Sequence, residues 1–91
     1  MIDVFEIINA FSLTAEQFNR LTDQQIHILW YIDRFGSISP MEAFNDLGIT
    51  KLATRISEMK VLGIQFNQAF ESRENRFGKN VRYMRYRKAA A

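Results

Sequence analysis

Cysteine is absent from this chain of 91 residues, and its absence excludes a disulfide framework, a thiolate metal site and a cysteine nucleophile. Stability must therefore come from packing, and a reducing cytoplasm fits such a chain. No apolar run approaches the roughly 20 residues that cross a bilayer, and the first residues are acidic where a signal peptide is basic. We therefore expect a cytoplasmic protein without a membrane partner.

Patterns typical of catalysis or metal binding are equally scarce. His27 is the single histidine, the carboxylates are scattered singly, and neither a glycine-rich phosphate loop nor a nucleophile elbow occurs. We expect His27 to be an exposed helix residue. The sequence therefore favours a binding protein over an enzyme, and it predicts no metal and no cofactor.

Proline occurs once, and no low-complexity tract, repeat or long linker interrupts the chain. A hydrophobic content of 47% in 91 residues suffices for one core, and the chain is too short for a second domain. We assign residues 1–21 to an N-terminal helical segment and residues 22–88 to the main domain. The three alanines at 89–91 are expected to form a tail outside the fold.

Charge is spread unevenly along the chain. Residues 1–70 contain five basic and eight acidic side chains, a net charge of −3, whereas residues 71–91 contain seven basic and two acidic ones, a net charge of +5. This asymmetry indicates that the C-terminal end meets an anionic partner, most simply a phosphate backbone. The alternative is a solvated pair of strands that only keeps the protein soluble.

Two short helical stretches are predicted in the N-terminal segment. Apolar residues recur at helical spacing after Asp3, and this pattern ends near Ser12. Thr14 can cap a second short turn. The apolar positions of the first stretch are Val4, Phe5, Ile7, Ile8 and Phe11.

A capping box formed by Thr22 and Gln25 predicts a longer helix over residues 23–35, which Gly36 ends in the left-handed conformation. Ile26 and Trp30 form an apolar edge beside its main stripe. This edge needs a cover, which the N-terminal segment can supply. The main inward stripe consists of Gln25, Ile28, Leu29, Ile32 and Phe35.

The next stretch carries the signals of two helices joined by a tight turn. After a very short strand at Ile38, the residues Ser39-Pro40-Met41-Glu42 form a second capping box with proline at the first helical position. Gly48 allows the positive φ of the turn, and we expect Thr50 to cap a third helix from Lys51 to about Leu62. The expected inward side chains are Met41, Ala43, Phe44 and Leu47 in the first helix and Leu52, Ile56 and Met59 in the second.

Beyond residue 63 the apolar pattern alternates, which predicts a strand, a polar loop over residues 72–80 and a second strand over residues 81–87. We favour Met84 and Tyr86 facing the core. The opposite register places Val81 and Tyr83 inward, and the alternation is compatible with both.

This order of elements is the layout of a winged helix-turn-helix domain. The sequence therefore predicts an α+β fold with a three-helix core, a C-terminal β-hairpin wing and an extra N-terminal helical segment. The major groove of B-form DNA is about 12 Å wide and accepts one α-helix. A DNA-binding domain of this kind therefore needs one helix that projects from its surface and a second helix that crosses and supports it.

Short motifs within residues 37–63 and 79–86 resemble those of the small phage and prophage winged helix-turn-helix domains. The similar motifs are Ser-Ile-Ser-Pro at 37–40, Leu-Gly at 47–48, Leu-Ala-Thr-Arg-Ile at 52–56, and Lys-Asn-Val-Arg-Tyr at 79–83 with Tyr86. The resemblance covers roughly residues 26–88, and it implies a winged fold and DNA binding. Val61 and Leu62 stand where such domains carry more polar residues, which leaves room for a protein contact.

The start of the third helix of the main domain is the candidate reading surface. Lys51 and Thr54 are expected to contact bases or phosphates, because the helix dipole favours phosphate there. Arg55 can bind guanine through two hydrogen bonds, or it can pair with Glu58 three residues later. Glu58 can accept from a cytosine amino group, or it can mark the edge of the contact.

The basic loop supplies the second group of candidate DNA contacts. Its basic side chains can straddle phosphates or enter an adjacent minor groove, and Asn80 can donate to a phosphate. Phe77 at the loop tip is either a wedge or partner contact, or a side chain folded back on the hairpin. The four bases are Arg73, Arg76, Lys79 and Arg82.

Two functions are compatible with these patterns. The first is a DNA-binding protein of a phage or prophage, either a transcriptional regulator or a DNA-associated accessory factor, with double-stranded DNA as its partner. The second is a winged module that binds and modulates a host protein, as the acidic first 70 residues suggest. A homodimer is expected for so small a reader, with the N-terminal helix and the Ile26/Trp30 edge as its interface.

Overall fold

Five helices and one antiparallel hairpin make up residues 2–89, which are the part of the chain that this computed structural model describes. The helices are α1 (Val4–Phe11), α2 (Ala15–Asn19), α3 (Asp23–Phe35), α4 (Pro40–Leu47) and α5 (Leu52–Val61), and the strands are β1 (Phe66–Glu74) and β2 (Asn80–Lys88). Ala89 follows β2 and is half-buried, while the rest of the predicted tail, Ala90 and Ala91, lies outside the described residues.

Side-chain caps set the start of the first four helices. Asp3 accepts hydrogen bonds from the backbone at the start of α1, and Thr14, Thr22 and Ser39 each form a complete capping box. The predicted caps at Thr14, Thr22 and Ser39 are confirmed. The prediction for Thr50 is wrong, because the N-cap position of α5 is occupied by Lys51 and the helix begins one residue later than Thr50 requires.

Left-handed glycines separate the helices of the motif. Gly36 ends α3 with a φ of 89° and Gly48 ends α4 with a φ of 68°, as predicted. A side chain would be strained in this region, whereas glycine enters it freely. Each glycine starts a connection of four residues, 36–39 before α4 and 48–51 after it, and α4 packs against both α3 and α5.

The core lies between α3, α5 and the base of the hairpin. As predicted, Ile28, Leu29 and Ile32 of α3 are buried, and so are Leu52, Ile56 and Met59 of α5. Burying each such side chain stabilises the fold by roughly 1.5–3 kcal/mol. Helix α1 packs against α3 and adds the buried Ile7, while Ile26 and Trp30 are half-buried against this core. The N-terminal segment therefore shares the core of the main domain.

The predicted inward stripe of α3 is wrong at its end. Phe35 is exposed, whereas Tyr31, which the stripe left out, is buried. The Tyr31 hydroxyl donates to Asp46 at 2.5 Å. This hydrogen bond, together with burial, raises the pKa of Tyr31 to about 12. The polar end of Tyr31 has a partner on α4, so its ring can be buried.

Helix α4 is only partly as predicted. Ala43 is buried and Leu47 packs against the core, but Met41 and Phe44 are exposed. A helix of 8 residues turns a narrow face toward its neighbours. The two large side chains of α4 therefore remain on its solvent side.

The hairpin is longer than predicted. Strand β1 continues to Glu74, which lies opposite Asn80, so the connecting loop covers residues 75–79 and not 72–80. Residues 72–74 are exposed on both faces and carry no apolar alternation, and for this reason the sequence did not mark them as strand. Their backbone pairing does not depend on burial.

A one-residue bridge attaches the hairpin to the helices. Ile38 and Tyr86 exchange two backbone hydrogen bonds of 2.9 Å, which confirms the short strand predicted before α4. Tyr86 is buried and Met84 packs against the core, so the favoured register of β2 is confirmed. The result is a small α+β winged helix domain. None of the helices in residues 2–89 has the length and hydropathy that crossing a membrane requires.

Candidate nucleic-acid interface

Helix α5 begins without a side-chain cap, unlike the other four helices in residues 2–89. The side chain of Lys51 makes no capping hydrogen bond, so the first-turn N–H groups have no side-chain acceptor. Such groups, together with the helix dipole, are suited to an external anion. Lys51 is exposed and adds a positive charge at this point.

Small side chains cover the solvent side of α5. Thr54 and Ser57 are exposed on the face opposite Ile56, and Val61 continues that face with 87% of its surface exposed. Short side chains allow the helix backbone to approach a groove floor closely. They carry no charge, so attraction for phosphates must come from other parts of the domain.

Arg55 and Glu58, the two charged residues that the sequence proposed as base readers, are bound to each other. Arg55 Nη1 lies 3.4 Å from a carboxylate oxygen of Glu58, which also accepts a 3.0 Å hydrogen bond from Gln25. Gln25 is buried, and the side chain of Arg55 is 26% exposed with its Nε lacking a partner. In the free domain, the intrahelical ion pair predicted as the alternative is therefore formed.

The basal half of the hairpin, defined as residues 66–71 and 83–88, is fastened to α4 by Arg85. Its guanidinium donates to Glu71 at 3.0 Å, to Glu42 at 2.8 Å and to Ser37 at 3.0 Å. Burial opposes the charge of Arg85, but the bonds to Glu71 and Glu42 outweigh it and raise its pKa above the ordinary value. Arg85 therefore orients the wing and is not available to a ligand.

Glu71 is the acceptor at the centre of this basal half. It accepts from Arg85, from the Tyr83 hydroxyl at 3.0 Å and from Arg87 at 3.5 Å. The hydrogen bond from Arg85, followed by that from Tyr83, lowers the pKa of the Glu71 carboxyl. Two of the seven basic residues counted in residues 71–91 are thus bound to one carboxylate of the same hairpin.

The distal half of the hairpin, residues 72–82, has a different charge environment. It contains four basic side chains and one acidic one, Glu74, for a net charge of +3. None of the four bases forms an ion pair in the part of the chain that the structure describes. All four are exposed: Arg73, Arg76, Lys79 and Arg82.

The two strand arginines of the distal half lie on opposite faces of the hairpin. Arg82 is paired with Ser72 and Arg73 with Val81, and successive residues of a strand point to opposite sides. The Arg82 guanidinium lies over the ring of Phe70, 4.4 Å from its centroid. The wing therefore presents positive charge on both faces, as the predicted straddling of phosphates requires.

Hydrogen bonds order the tip of the hairpin. The side chain of Asn75 accepts from the N–H groups of Phe77 at 2.9 Å and of Lys79 at 3.0 Å, and the Asn75 N–H donates to the Lys79 carbonyl at 2.7 Å. Asn80 is exposed at the first position of β2, opposite Glu74. Phe77 does not fold back on the hairpin, because 84% of its surface is exposed.

The candidate residues thus form two groups. Lys51 and Thr54 lie at the start of α5, and the four bases with Asn80 lie on the distal half of the hairpin. No hydrogen bond within residues 2–89 joins the two groups. Sequence reasoning missed the positioning role of Arg85, since its partners lie far away along the chain and only the strand register brings them together.

Comparison with known families identifies the domain. A family model described as a winged helix-turn-helix domain matches residues 23–88. Comparisons with curated proteins and with solved structures return no significant match. The matched range contains α3, α4, α5 and both strands, so it includes every candidate residue described above. The chain belongs to the winged helix-turn-helix domain family.

Proposed function

We propose that this domain binds double-stranded DNA as a binding protein and not as an enzyme, with α5 in the major groove and the distal half of the hairpin against the flanking phosphates. The observation that carries the proposal is the set of four exposed bases on the wing, none of which has a carboxylate partner in residues 2–89. The uncapped start of α5 and its small exposed side chains support the same orientation.

Titration of a labelled duplex at several salt concentrations tests this proposal. Four phosphate contacts correspond to a log–log slope of the binding constant against salt of roughly −3 to −4. Changing Lys51, Arg55 and Arg82 together to alanine should weaken binding by about two orders of magnitude. A double variant with Arg20→Ala and Arg34→Ala removes charge from α3 and the end of α2 instead, and it should bind like the unaltered protein.

Two results would overturn the proposal. One is the absence of duplex binding at low salt, and the other is a triple variant that binds as tightly as the unaltered protein. Circular dichroism of each variant, compared with the unaltered domain, separates lost contacts from lost folding. Beyond DNA binding, a role as a phage or prophage transcriptional regulator or accessory factor depends on the sequence resemblance alone.

A homodimer formed through α1 belongs to the same proposal. Phe5 is 75% exposed and Val4 is exposed beside it, whereas Ile26 and Trp30 are half-buried within the protomer and offer less surface than expected. Sedimentation at tens of micromolar should show a dimer that Phe5→Ser abolishes. A monomer at that concentration contradicts this part of the proposal.

A second candidate function, binding to a host protein, is favoured by the exposed apolar face of α4. Met41 and Phe44 are one helical turn apart and both are exposed. Changing both to serine should abolish capture of a specific partner in nuclease-treated, high-salt lysate and leave duplex binding intact. The wing variants should show the reverse.

A further inference from the structure

We infer that Phe77 is an apolar wedge that enters the DNA minor groove beside the major groove occupied by α5, and that it unstacks a base step there. This inference rests on the proposed DNA binding and goes beyond it, because it assigns an aromatic contact and a bend to a wing otherwise described only by its charge. Four observations carry it.

The first observation is the position and exposure of Phe77. Its side chain lies at the tip of the loop between β1 and β2, and 84% of its surface is exposed. Leaving a phenylalanine in water forgoes roughly 1.5–3 kcal/mol of burial. With 84% of its surface exposed, Phe77 recovers little of this free energy within the hairpin, and its ring is available to a surface outside the domain.

The second observation is that the loop presents Phe77 in an ordered turn. The Phe77 N–H donates to the Asn75 side chain, and the Gly78 N–H donates to the Asn75 carbonyl at 3.0 Å. Gly78 has a φ of 77°, which an L side chain rarely adopts. A wedge has to be held in place while it separates stacked bases, and these bonds provide that support.

The third observation is reach. The hairpin is attached to the body at Tyr86, and Asn80 lies six positions earlier in β2, a distance of about 20 Å at 3.4 Å per residue. The domain is accordingly elongated, with extents of 47, 26 and 20 Å. One helical turn of DNA is about 34 Å, so adjacent grooves are about 17 Å apart. The tip can therefore reach the neighbouring minor groove while α5 lies in the major groove.

The fourth observation is charge. Arg76 and Lys79 flank Phe77 in the loop, and Arg73 and Arg82 follow on opposite faces of the strands. A narrow minor groove has a strongly negative potential between two phosphate rows, which attracts arginine. Proteins that bend DNA from this side combine such cations with an inserted apolar side chain. The apolar side chain at the wing tip and the basic side chains around it match this combination.

Fluorescence measurements on one defined duplex test the wedge. The probe is an A·T-rich duplex of about 30 base pairs with central TA steps, which unstack easily, end-labelled for energy transfer and carrying 2-aminopurine at one such step. The unaltered domain should shorten the end-to-end distance and raise the 2-aminopurine emission. Phe77→Ser should abolish both changes and weaken binding about tenfold, with an unchanged salt slope because no charge is removed.

Two control variants keep the test specific. Phe77→Leu retains an apolar wedge and should restore most of the bend. Phe35→Ser removes a different exposed aromatic side chain, at the end of α3, and should bend DNA like the unaltered protein.

The outcomes separate the wedge from the proposed function. If the unaltered domain binds no duplex, the proposed function fails. If it binds, and Phe77→Ser binds and bends DNA equally well, only the wedge is overturned. The wedge is likewise overturned if Phe77→Ser changes the sedimentation of the free protein and leaves the bend intact, because Phe77 would then contact a second copy of the chain.

Discussion

The two halves of the hairpin both carry basic side chains, but these side chains form ion pairs in the basal half and none in the distal half, within the described residues. In the basal half, Arg85 and Arg87 are bound to Glu71, and Arg85 also reaches Glu42 on α4. The distal half contains four basic side chains and one carboxylate, that of Glu74. None of the four forms an ion pair with it in the described residues. The net charge of a segment therefore does not by itself identify a binding surface, because basic side chains that already form internal ion pairs are not available to a ligand. Here the basal arginines hold the wing and the distal bases are left for an anion.

The largest expected effect comes from removing charge in the distal half. A triple variant with Arg73→Ala, Lys79→Ala and Arg82→Ala should lower duplex affinity about 100-fold at 0.1 M salt, because each base contributes one phosphate contact. Its free energy of unfolding should fall by no more than about 1 kcal/mol, because only the exposed contact of Arg82 with Phe70 is lost. A double variant with Arg87→Ala and Lys88→Ala serves as the basal control, and its affinity, measured by fluorescence anisotropy, should fall by less than about threefold. Equal losses in the two variants would break the distinction between the halves.

The next effect concerns stability and belongs to the basal half. Arg85→Met keeps an unbranched apolar chain in place of the aliphatic part of arginine but removes three hydrogen bonds, two of them to carboxylates. Because the Arg85 side chain is only 15% exposed, the free energy of unfolding should fall by about 2 kcal/mol, as measured in urea. Arg73→Met is the matched distal change, and it should cost less than about 0.5 kcal/mol. A stable Arg85→Met protein would show that the wing is held by other contacts.

A smaller effect is expected where the two halves meet. Phe70→Leu removes the ring under the Arg82 guanidinium and keeps an apolar side chain. An exposed cation–π contact is worth about 0.5–1 kcal/mol. If that contact orients Arg82 for DNA, duplex affinity should fall about two- to fivefold, and the variant should have no effect when Arg82 is already alanine. A loss that persists in the Arg82→Ala background would mean that Phe70 acts independently.

The smallest effect is a pH dependence that belongs to the basal half. The folded protein lowers the pKa of Glu71 below its ordinary value of 4.5. The stability that this carboxylate contributes is therefore present above pH 4.5, and it is lost as the pH falls through the lowered value. Urea unfolding between about pH 6 and pH 3 should show a shallower acid loss in Glu71→Gln than in the unaltered domain. Identical profiles would indicate that Glu71 is not coupled to folding.

Much of the fold was predictable because its signals are local. Capping boxes at Thr22 and Ser39 and the left-handed glycines Gly36 and Gly48 satisfy backbone groups within four residues, so the sequence contains the whole interaction. Thr50 shows the limit, because a good capping side chain is not used when the chain enters the helix one residue later. The backbone conformation of the turn sets the residue at which α5 begins, and no local side-chain pattern in the sequence indicates that conformation.

The errors in the predicted site and core involve partners far apart in the chain. The burial of Tyr31 in place of Phe35 depends on Asp46, on another helix. The role of Arg85 depends on a strand register that places it diagonally across from Glu71, and on the bridge between Ile38 and Tyr86 that holds the start of α4 near the hairpin. Composition correctly located the positive charge, but only the folded arrangement shows which bases are already paired.

The position of bound DNA shows whether the start of α5 and the distal half of the hairpin form the contact surface. Backbone amide shifts should be mapped by NMR during titration with a short duplex, over the whole domain and at low salt. The proposed orientation predicts the largest changes over residues 51–54 and 73–82, with Arg85 and Arg87 nearly unaffected. Changes centred on residues 84–88 or on α1, with the wing tip unmoved, would contradict it.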